Sequence, residues 1–239
     1  MNDTKKSHDP ISLSVIAHIE NDFPTKFALP RQSGLASSLI SRIVFEPEYS
    51  VTEAIRGLDG YSHLWLIWGF SETFGEKWSP TVRPPRLGGN KRMGVFATRA
   101  PYRPNPIGLS VVKLERIDIT DKGPILTVSG ADIMNSSPIY DIKPYLPYVE
   151  SIPNASDGFT AFTKDHRLSV EFPENLISLI PKELRKTLTE VLSGDPRPGY
   201  HTDPERIYGF EYSDFEIKFR VSGDILTVCE VISRKNREI

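Results

Sequence analysis

The arrangement of apolar and polar positions divides the chain into short runs. Ile11–Ile19 ("ISLSVIAHI") and Leu39–Phe45 ("LISRIVF") alternate with the period of a half-buried strand. Ser50–Gly57 ("SVTEAIRG") places a glutamate three residues after a serine, the capping-box pattern that opens a short helix. Tyr61–Phe70 ("YSHLWLIWGF") is aromatic or aliphatic at most positions. It suits a strand buried on both faces, and periodicity alone leaves a buried helix open. Met93–Thr98, Leu109–Ile119 and Ile125–Ile133 are further predicted strands. Strands this closely spaced, without regular helices between them, predict a barrel or sandwich rather than a doubly wound sheet.

The texture changes after Pro153. "NASDG" (Asn154–Gly158) is rich in turn residues and marks a boundary. Arg167–Phe172 reads as a strand and Glu174–Leu192 as a helix broken near Pro181. A long loop, "SGDPRPGYHTDP", precedes three strands: Arg206–Tyr212, Phe215–Val221 and Ile225–Val231. The predicted class is a β-dominated α+β chain. A β-barrel-like amino-terminal domain spans residues 11–153, and a small α+β carboxy-terminal domain spans 160–239. Residues 1–10, polar throughout most of their length, are expected to form a disordered leader.

Composition narrows the class without naming a chemistry. A chain of 239 residues with 38% hydrophobic and 25% charged positions is ordinary for a globular protein. No run approaches the roughly 20 apolar residues of a membrane span, and the start lacks the apolar core of a signal peptide. One cysteine, Cys229, rules out an internal disulfide and fits a reducing cytoplasm. Its setting, "ILTVCEV", predicts a buried structural thiol.

Charge changes the picture more. The formal net charge of -2 hides a segregation along the chain. Between Lys77 and Leu114 there are eight basic residues and no acid, so the rest of the chain is markedly acidic. A local excess of one sign attracts anions even when the total is near zero. The centre of this segment, "RPPRLGGNKRMGVFATRAPYRPNPIG" (Arg83–Gly108), interleaves the charge with proline and glycine. Each proline fixes its own backbone angle and restricts the residue before it. Loops built this way are rigid without being regular, and rigid arginines lose little entropy on gripping an anion.

A second constellation is "DIKPYLPYV", Asp141–Val149, whose prolines predict an extended edge segment. In an extended chain Asp141, Lys143 and Tyr145 share one face. That set suits acid–base work and suits equally a surface ion pair beside a packed tyrosine. "FALPRQSG" (Phe27–Gly34) and "DPRPGY" (Asp195–Tyr200) are further loops with arginine beside proline. The five histidines lack ligand spacing, so no metal site is expected. No phosphate-binding P-loop, serine elbow or GxGxxG fingerprint occurs, so a Rossmann-type nucleotide site is not signalled. Taken alone, these residues describe a β-rich protein with a rigid cationic loop that binds an anion or RNA.

Several stretches go further. "LPRQ", "AIRGLDGYSHLWLIWGF", "PTVRPPRLGGNKRMGVFATRAPYRPNPIGLS", "DIKPYLPY" and "DPRPGY" closely resemble the TrmO (TsaA-like) family, over nearly the whole chain from about Ile11. The resemblance implies a tRNA methyltransferase. Its methyl donor is S-adenosyl-L-methionine and its acceptor is N6 of threonylcarbamoyladenosine at position 37, beside the anticodon. It also implies a barrel-like catalytic domain that is not Rossmann, and a cytoplasmic homodimer with the cofactor near the subunit interface. Carried onto matching positions, the cofactor residues are Pro30, Arg31, Gln32, Ser71, Glu72, Arg99, Leu109, Ser129, Gly130, Ala131 and Asp132. Asp141, Lys143, Tyr145 and Asn105 are the expected catalytic residues. Arg83, Arg86, Arg92, Tyr102, Arg103 and Arg197 are the expected tRNA contacts. Two places depart from the family pattern: Ser71–Glu72, and Asn135–Pro138 ("NSSP") where relatives carry Asp-Gly-Thr-Pro. The residues by themselves also fit a non-catalytic tRNA- or RNA-binding module.

Overall fold

The computed structural model describes residues 11–73, 75–88, 91–162, 164–197, 201 and 203–234. The expected leader, the side chain of Arg86 and Pro198–Tyr200 of the "DPRPGY" stretch lie outside the described residues.

Six strands close into an antiparallel barrel in the order β1-β2-β7-β6-β3-β8. They are β1 (Ala17–Glu20), β2 (Ile40–Phe45), β3 (His63–Gly69), β6 (Ile107–Thr120), β7 (Gly123–Ser129) and β8 (Pro138–Pro144). Between β3 and β6 the chain adds a two-stranded ribbon, β4 (Thr81–Val82) and β5 (Met93–Gly94). Side chains alternate along each strand, so one row fills the barrel. Ile19, Ile43, Leu64, Leu66, Leu126, Val128 and Ile139 form its fully buried core. Trp68 also points inward, over Gly108 of the neighbouring strand. A Cβ there would lie 2.2 Å from the indole, so the ring needs a glycine opposite.

The carboxy-terminal half forms a four-stranded sheet in the order β10-β11-β12-β9. Its strands are β9 (Ser169–Glu171), β10 (Tyr208–Tyr212), β11 (Phe215–Ser222) and β12 (Ile225–Ser233), with β9 parallel to β12. A short helix α1 (Pro147–Glu150) follows the barrel, and α2 (Glu174–Ile177) and α3 (Lys182–Ser193) follow β9. α3 buries Leu188, Val191 and Leu192 in the sheet's core. Phe23, Ala28, Ala36 and Leu39 join that same core, although they lie between β1 and β2 of the barrel.

Several local expectations are corrected. Ile11–Ile16 is not strand; Ile11 is 88% exposed, and β1 begins only where pairing partners exist on β2 and β8. Ser50 does not cap a helix: its hydroxyl donates to the Lys122 carbonyl, and only a short 3-10 turn, Thr52–Ile55, follows. The β3 run is buried on one face only, with His63, Trp65 and Ile67 half-buried outside. Met93–Thr98 pairs for two residues and then turns at Val95–Ala97. β7 stops at Ser129, short of Ile133, because Gly130 takes a left-handed φ of 78°. The start of "DIKPYLPYV" is extended as expected: Asp141–Pro144 pairs with β3 alone, because β1 reaches only Pro138 and Ile139 of β8, whereas Tyr148 lies in α1 and not in the strand. Cys229 is in a strand but exposed, because it is the extra residue where the β11–β12 register slips.

Candidate functional site

The barrel's connectivity gathers the candidate loops. β1 and β2 are joined through residues 21–39, β3 and β6 through 70–106, and β7 and β8 through 130–137. The registers place the end of β3 opposite the start of β6, and the start of β8 opposite the end of β3. Ile40 pairs with Ser129, which places the third connection beside the first. All three connections therefore leave the same rim. Three stretches that are far apart in sequence meet there.

The meeting is made by side chains. Arg99 Nη1 donates to Gln32 Oε1 at 2.6 Å. Asp132 accepts from Ser110 Oγ at 2.5 Å, and Ser110 Oγ in turn accepts from Trp68 Nε1 at 3.0 Å. The first and third connections are also tied by backbone, from Gly34 N to Gly130 O at 2.8 Å. Burial pushes the Asp132 carboxyl above the usual carboxylate range, while the Ser110 hydroxyl and the positive field of Arg99 pull the other way. Ala131 is fully buried, and Ser129 spends its hydroxyl on Glu115 at 2.6 Å. Leu109 faces outward and is 51% exposed.

Pro30 and Arg31 sit on the other side of the same loop. Arg31 Nη2 donates to the carbonyls of Asp195 and Arg197 at 3.2 and 2.9 Å, so this side chain reaches the carboxy-terminal half. A groove of about 510 Å³ runs between them, bordered by Lys26, Pro30, Tyr102 and Val191. Glu72 binds Lys26 at 2.9 Å, and that hydrogen bond raises the lysine's pKa. Ser71 opens the short turn Ser71–Thr73 that carries Glu72.

The arginines divide by task. Arg103 Nη1 donates to the carbonyls of Val95 and Thr98, and its guanidinium lies 5.5 Å from the centre of the Phe96 ring. It therefore shapes the loop. Arg197 is largely buried against Asp195, with Nε to Oδ1 at 3.0 Å. Arg83 is exposed, and Arg92 is exposed with one nitrogen on Thr81. Exposed Trp78, Phe96 and Tyr102 stand in the same connection, and Asn105 is exposed at its end.

Asp141, Lys143 and Tyr145 follow the barrel's outer wall. Lys143 Nζ lies 2.7 Å from Asp141 Oδ2. Asp141 stands in one row with Ile67 and Leu109, and Lys143 in the next row with Trp65. Tyr145 lies a further row on, its ring 5.9 Å from Trp65. Two residues of strand span about 7 Å, so Tyr145 is well removed from the rim. Sequence reasoning missed three supporting residues, Ser110, Glu115 and Glu150. Glu150 accepts from Trp65 Nε1 and from Leu146 N, fixing α1 to the wall beside Tyr145. Ser110 closes the basic motif, but nothing in that motif marks its role, and Glu115 and Glu150 lie in no motif; each matters through a partner on another part of the fold.

Comparison with known proteins agrees in both halves. The profile of the tRNA-methyltransferase O N-terminal domain matches residues 18–151, and that of the TrmO C-terminal domain matches residues 165–234. The chain is 40% identical over 215 residues to the tRNA (adenine(37)-N6)-methyltransferase of Escherichia coli (strain K12), covering 87% of this chain and 92% of that one. It is 45% identical over 174 residues to the protein of the same name from Eikenella corrodens, covering 72% of this chain and 98% of that one. A crystal structure of TrmO from Pseudomonas aeruginosa superposes with a TM-score of 0.77 at 31% identity, over 96% of this chain and 100% of that chain.

Proposed function

The chain belongs to the tRNA-methyltransferase O family, and we propose from that premise that it transfers a methyl group from S-adenosylmethionine to N6 of threonylcarbamoyladenosine at position 37 of tRNA. The observation that carries this reading is the convergence of Gln32, Arg99 and Asp132 on one rim of a barrel whose family models span both halves of the chain.

The donor set at that rim fits the cofactor. S-adenosylmethionine carries a carboxylate, an ammonium group, ribose hydroxyls and an aromatic base. Arg99 and Gln32 supply donors, Asp132 an acceptor, and exposed Leu109 an apolar surface. Pro30, Arg31, Ser71, Glu72 and the Ser129–Asp132 turn complete the proposed set through backbone and shape. Bound there, the cofactor supplies an electrophilic methyl on a sulfonium centre. The chain's own task is alignment of donor and acceptor.

The acceptor nitrogen is conjugated to a carbonyl and must lose its proton to react. Asp141 is the proposed base, with Lys143 holding its carboxylate in place at 2.7 Å. Asn105 reads the adenine edge. Tyr145 is assigned to the threonylcarbamoyl side of the substrate, from a distance that requires the substrate to lie along the wall. Arg83 and Arg92 meet anticodon-loop phosphates, which makes binding salt-dependent, and Tyr102 offers its ring for stacking. Arg103 serves the same substrate by keeping its loop in shape. The enzyme acts as a homodimer, which light scattering at assay concentration checks.

The test is methyl transfer from labelled S-adenosylmethionine to two tRNA pools, one carrying threonylcarbamoyladenosine and one lacking it. Incorporation in the first pool alone, identified as the N6-methylated nucleoside, is the expected result. Binding of tRNA with incorporation in neither pool would leave a non-catalytic RNA-binding module. Asp141→Asn is expected to lower kcat by at least about a hundredfold, in line with loss of general-base assistance, with S-adenosylmethionine affinity kept. Unchanged turnover in that variant removes Asp141 as the base.

A further inference from the structure

The loop after α3 carries a feature that the assigned roles leave unused. Asp195 takes a left-handed φ of 55°, a conformation costly for a residue with a Cβ, and is only 8% exposed. Its carboxylate is shared. Arg197 Nε approaches both oxygens, at 3.0 and 3.3 Å, and His166 Nε2 lies 2.9 Å from Oδ2. The three side chains pull the loop into a tight arch whose carbonyls at 195 and 197 point together. Arg31 Nη2 binds both of them. One residue further, Gln32 is held from the opposite side by Arg99. The Arg31–Gln32 segment is thus gripped between the carboxy-terminal half and the barrel rim.

We propose that Asp195 is a positioning residue for the cofactor site: it fixes the arch that holds Arg31, and through Arg31 it fixes Gln32 against Arg99. This rests on the cofactor reading given above. Asp195 touches neither cofactor nor tRNA, and Arg197 acts as its partner rather than as a phosphate contact. Position 195 needs a side chain that accepts two hydrogen bonds and tolerates the left-handed region. Asp and Asn meet both needs, and Ala meets neither.

The test uses the full-length protein with Asp195→Ala, Asp195→Asn and Arg31→Ala, and the double variant Asp195→Ala/Arg31→Ala. Hydrogen exchange of a peptide spanning residues 29–36 is followed without ligand. S-adenosylmethionine affinity is read by calorimetry, and KM and kcat by methyl transfer. Asp195→Ala is expected to speed exchange at 29–36 and weaken S-adenosylmethionine about tenfold. The rise should lie in its KM rather than in kcat, and Asp195→Asn should recover most of it. The double variant should be no worse than Arg31→Ala alone, because both act through one contact. Unchanged exchange and affinity in Asp195→Ala, with only a lower melting temperature, overturn the proposal and leave a structural role. Weaker tRNA binding with unchanged S-adenosylmethionine affinity also overturns it and returns Arg197 to the RNA. Faster exchange in a protein whose wild type binds no S-adenosylmethionine keeps the mechanical coupling and removes the cofactor reading instead.

Discussion

Asp132 shows how a single residue couples stability to function. Its carboxyl is held above its ordinary pKa, chiefly by burial. The folded state therefore binds a proton more readily than the unfolded chain does. The sign follows from linkage: stability falls as pH rises from the ordinary Asp value through the raised one, and the cost persists above it. Asp132→Asn removes that cost while keeping an acceptor for Ser110. Urea unfolding across pH is expected to show the variant at least as stable as wild type at neutral pH, with the downward slope lost, while S-adenosylmethionine binds more weakly. Gly108 makes the opposite point. Its missing Cβ is what lets Trp68 lie over β6 and donate to Ser110. Gly108→Ala is expected to cost about 1–3 kcal/mol by overpacking, measured by urea unfolding, and to change tryptophan fluorescence as the indole is displaced. The departure at "NSSP" has a residue-scale reading too. Ser136 adopts a φ of 63° at the position where the resemblance leads one to expect glycine, while Asn135 Oδ1 accepts from Asn21 N at 2.9 Å and serves the fold.

Among the elements, α1 shows the effect of a single anchor. It is four residues long, too short to hold itself. Glu150 joins it to β3 through Trp65 and closes its own first turn through Leu146 N. Glu150→Ala is expected to cost about 1–3 kcal/mol, the range for charge-assisted hydrogen bonds lost from a partly buried site. Differential scanning calorimetry checks it. Because Tyr145 packs on Trp65, turnover should fall along with stability, and Glu150→Gln, which has one acceptor oxygen for two N–H donors, should restore only part of both. β8 carries its own device. Its register slips between Ile67 and Trp68 of the partner strand, which leaves Tyr140 as the extra residue. That bulge puts Asp141 on the outer wall instead of in the core.

At the scale of the molecule, the two cores are not independent. Phe23, Ala36 and Leu39 leave the barrel and complete the core under α3. Ser38 adds two polar ties, its N–H to Glu190 and its carbonyl to the Thr187 hydroxyl. A fragment ending at residue 153 exposes these apolar side chains, each worth about 1.5–3 kcal/mol when a large one is buried. It is expected to unfold at distinctly lower urea concentration than the full chain, followed by circular dichroism. The charge segregation also acts at this scale. The basic connection sits at the rim where the proposed cofactor residues meet, so an RNA drawn to it arrives at the proposed site.

The sequence by itself determined the strand-rich class, the change of texture after Pro153, the α2–α3 break and the cationic connection. Those are properties of composition and of short periods, which depend on neighbours in the chain. It also determined the family, because motifs such as "PYRPNPIG" are long enough to be specific. Tertiary structure decided the rest. The closure of six strands into a barrel, the single buried face of β3 and the exposure of Cys229 follow from which strand lies beside which. So does the fate of each arginine: one sequence pattern holds Arg99 on Gln32, Arg103 on loop carbonyls and Arg197 on a buried carboxylate, while Arg83 stays exposed. A charge in sequence states only a valence. Its partner, and hence whether it builds the fold or meets a ligand, is set by the fold, which brings Gln32 to Arg99 across 67 positions and bends the loops so that Arg103 and Arg197 turn back on groups two to eight residues away.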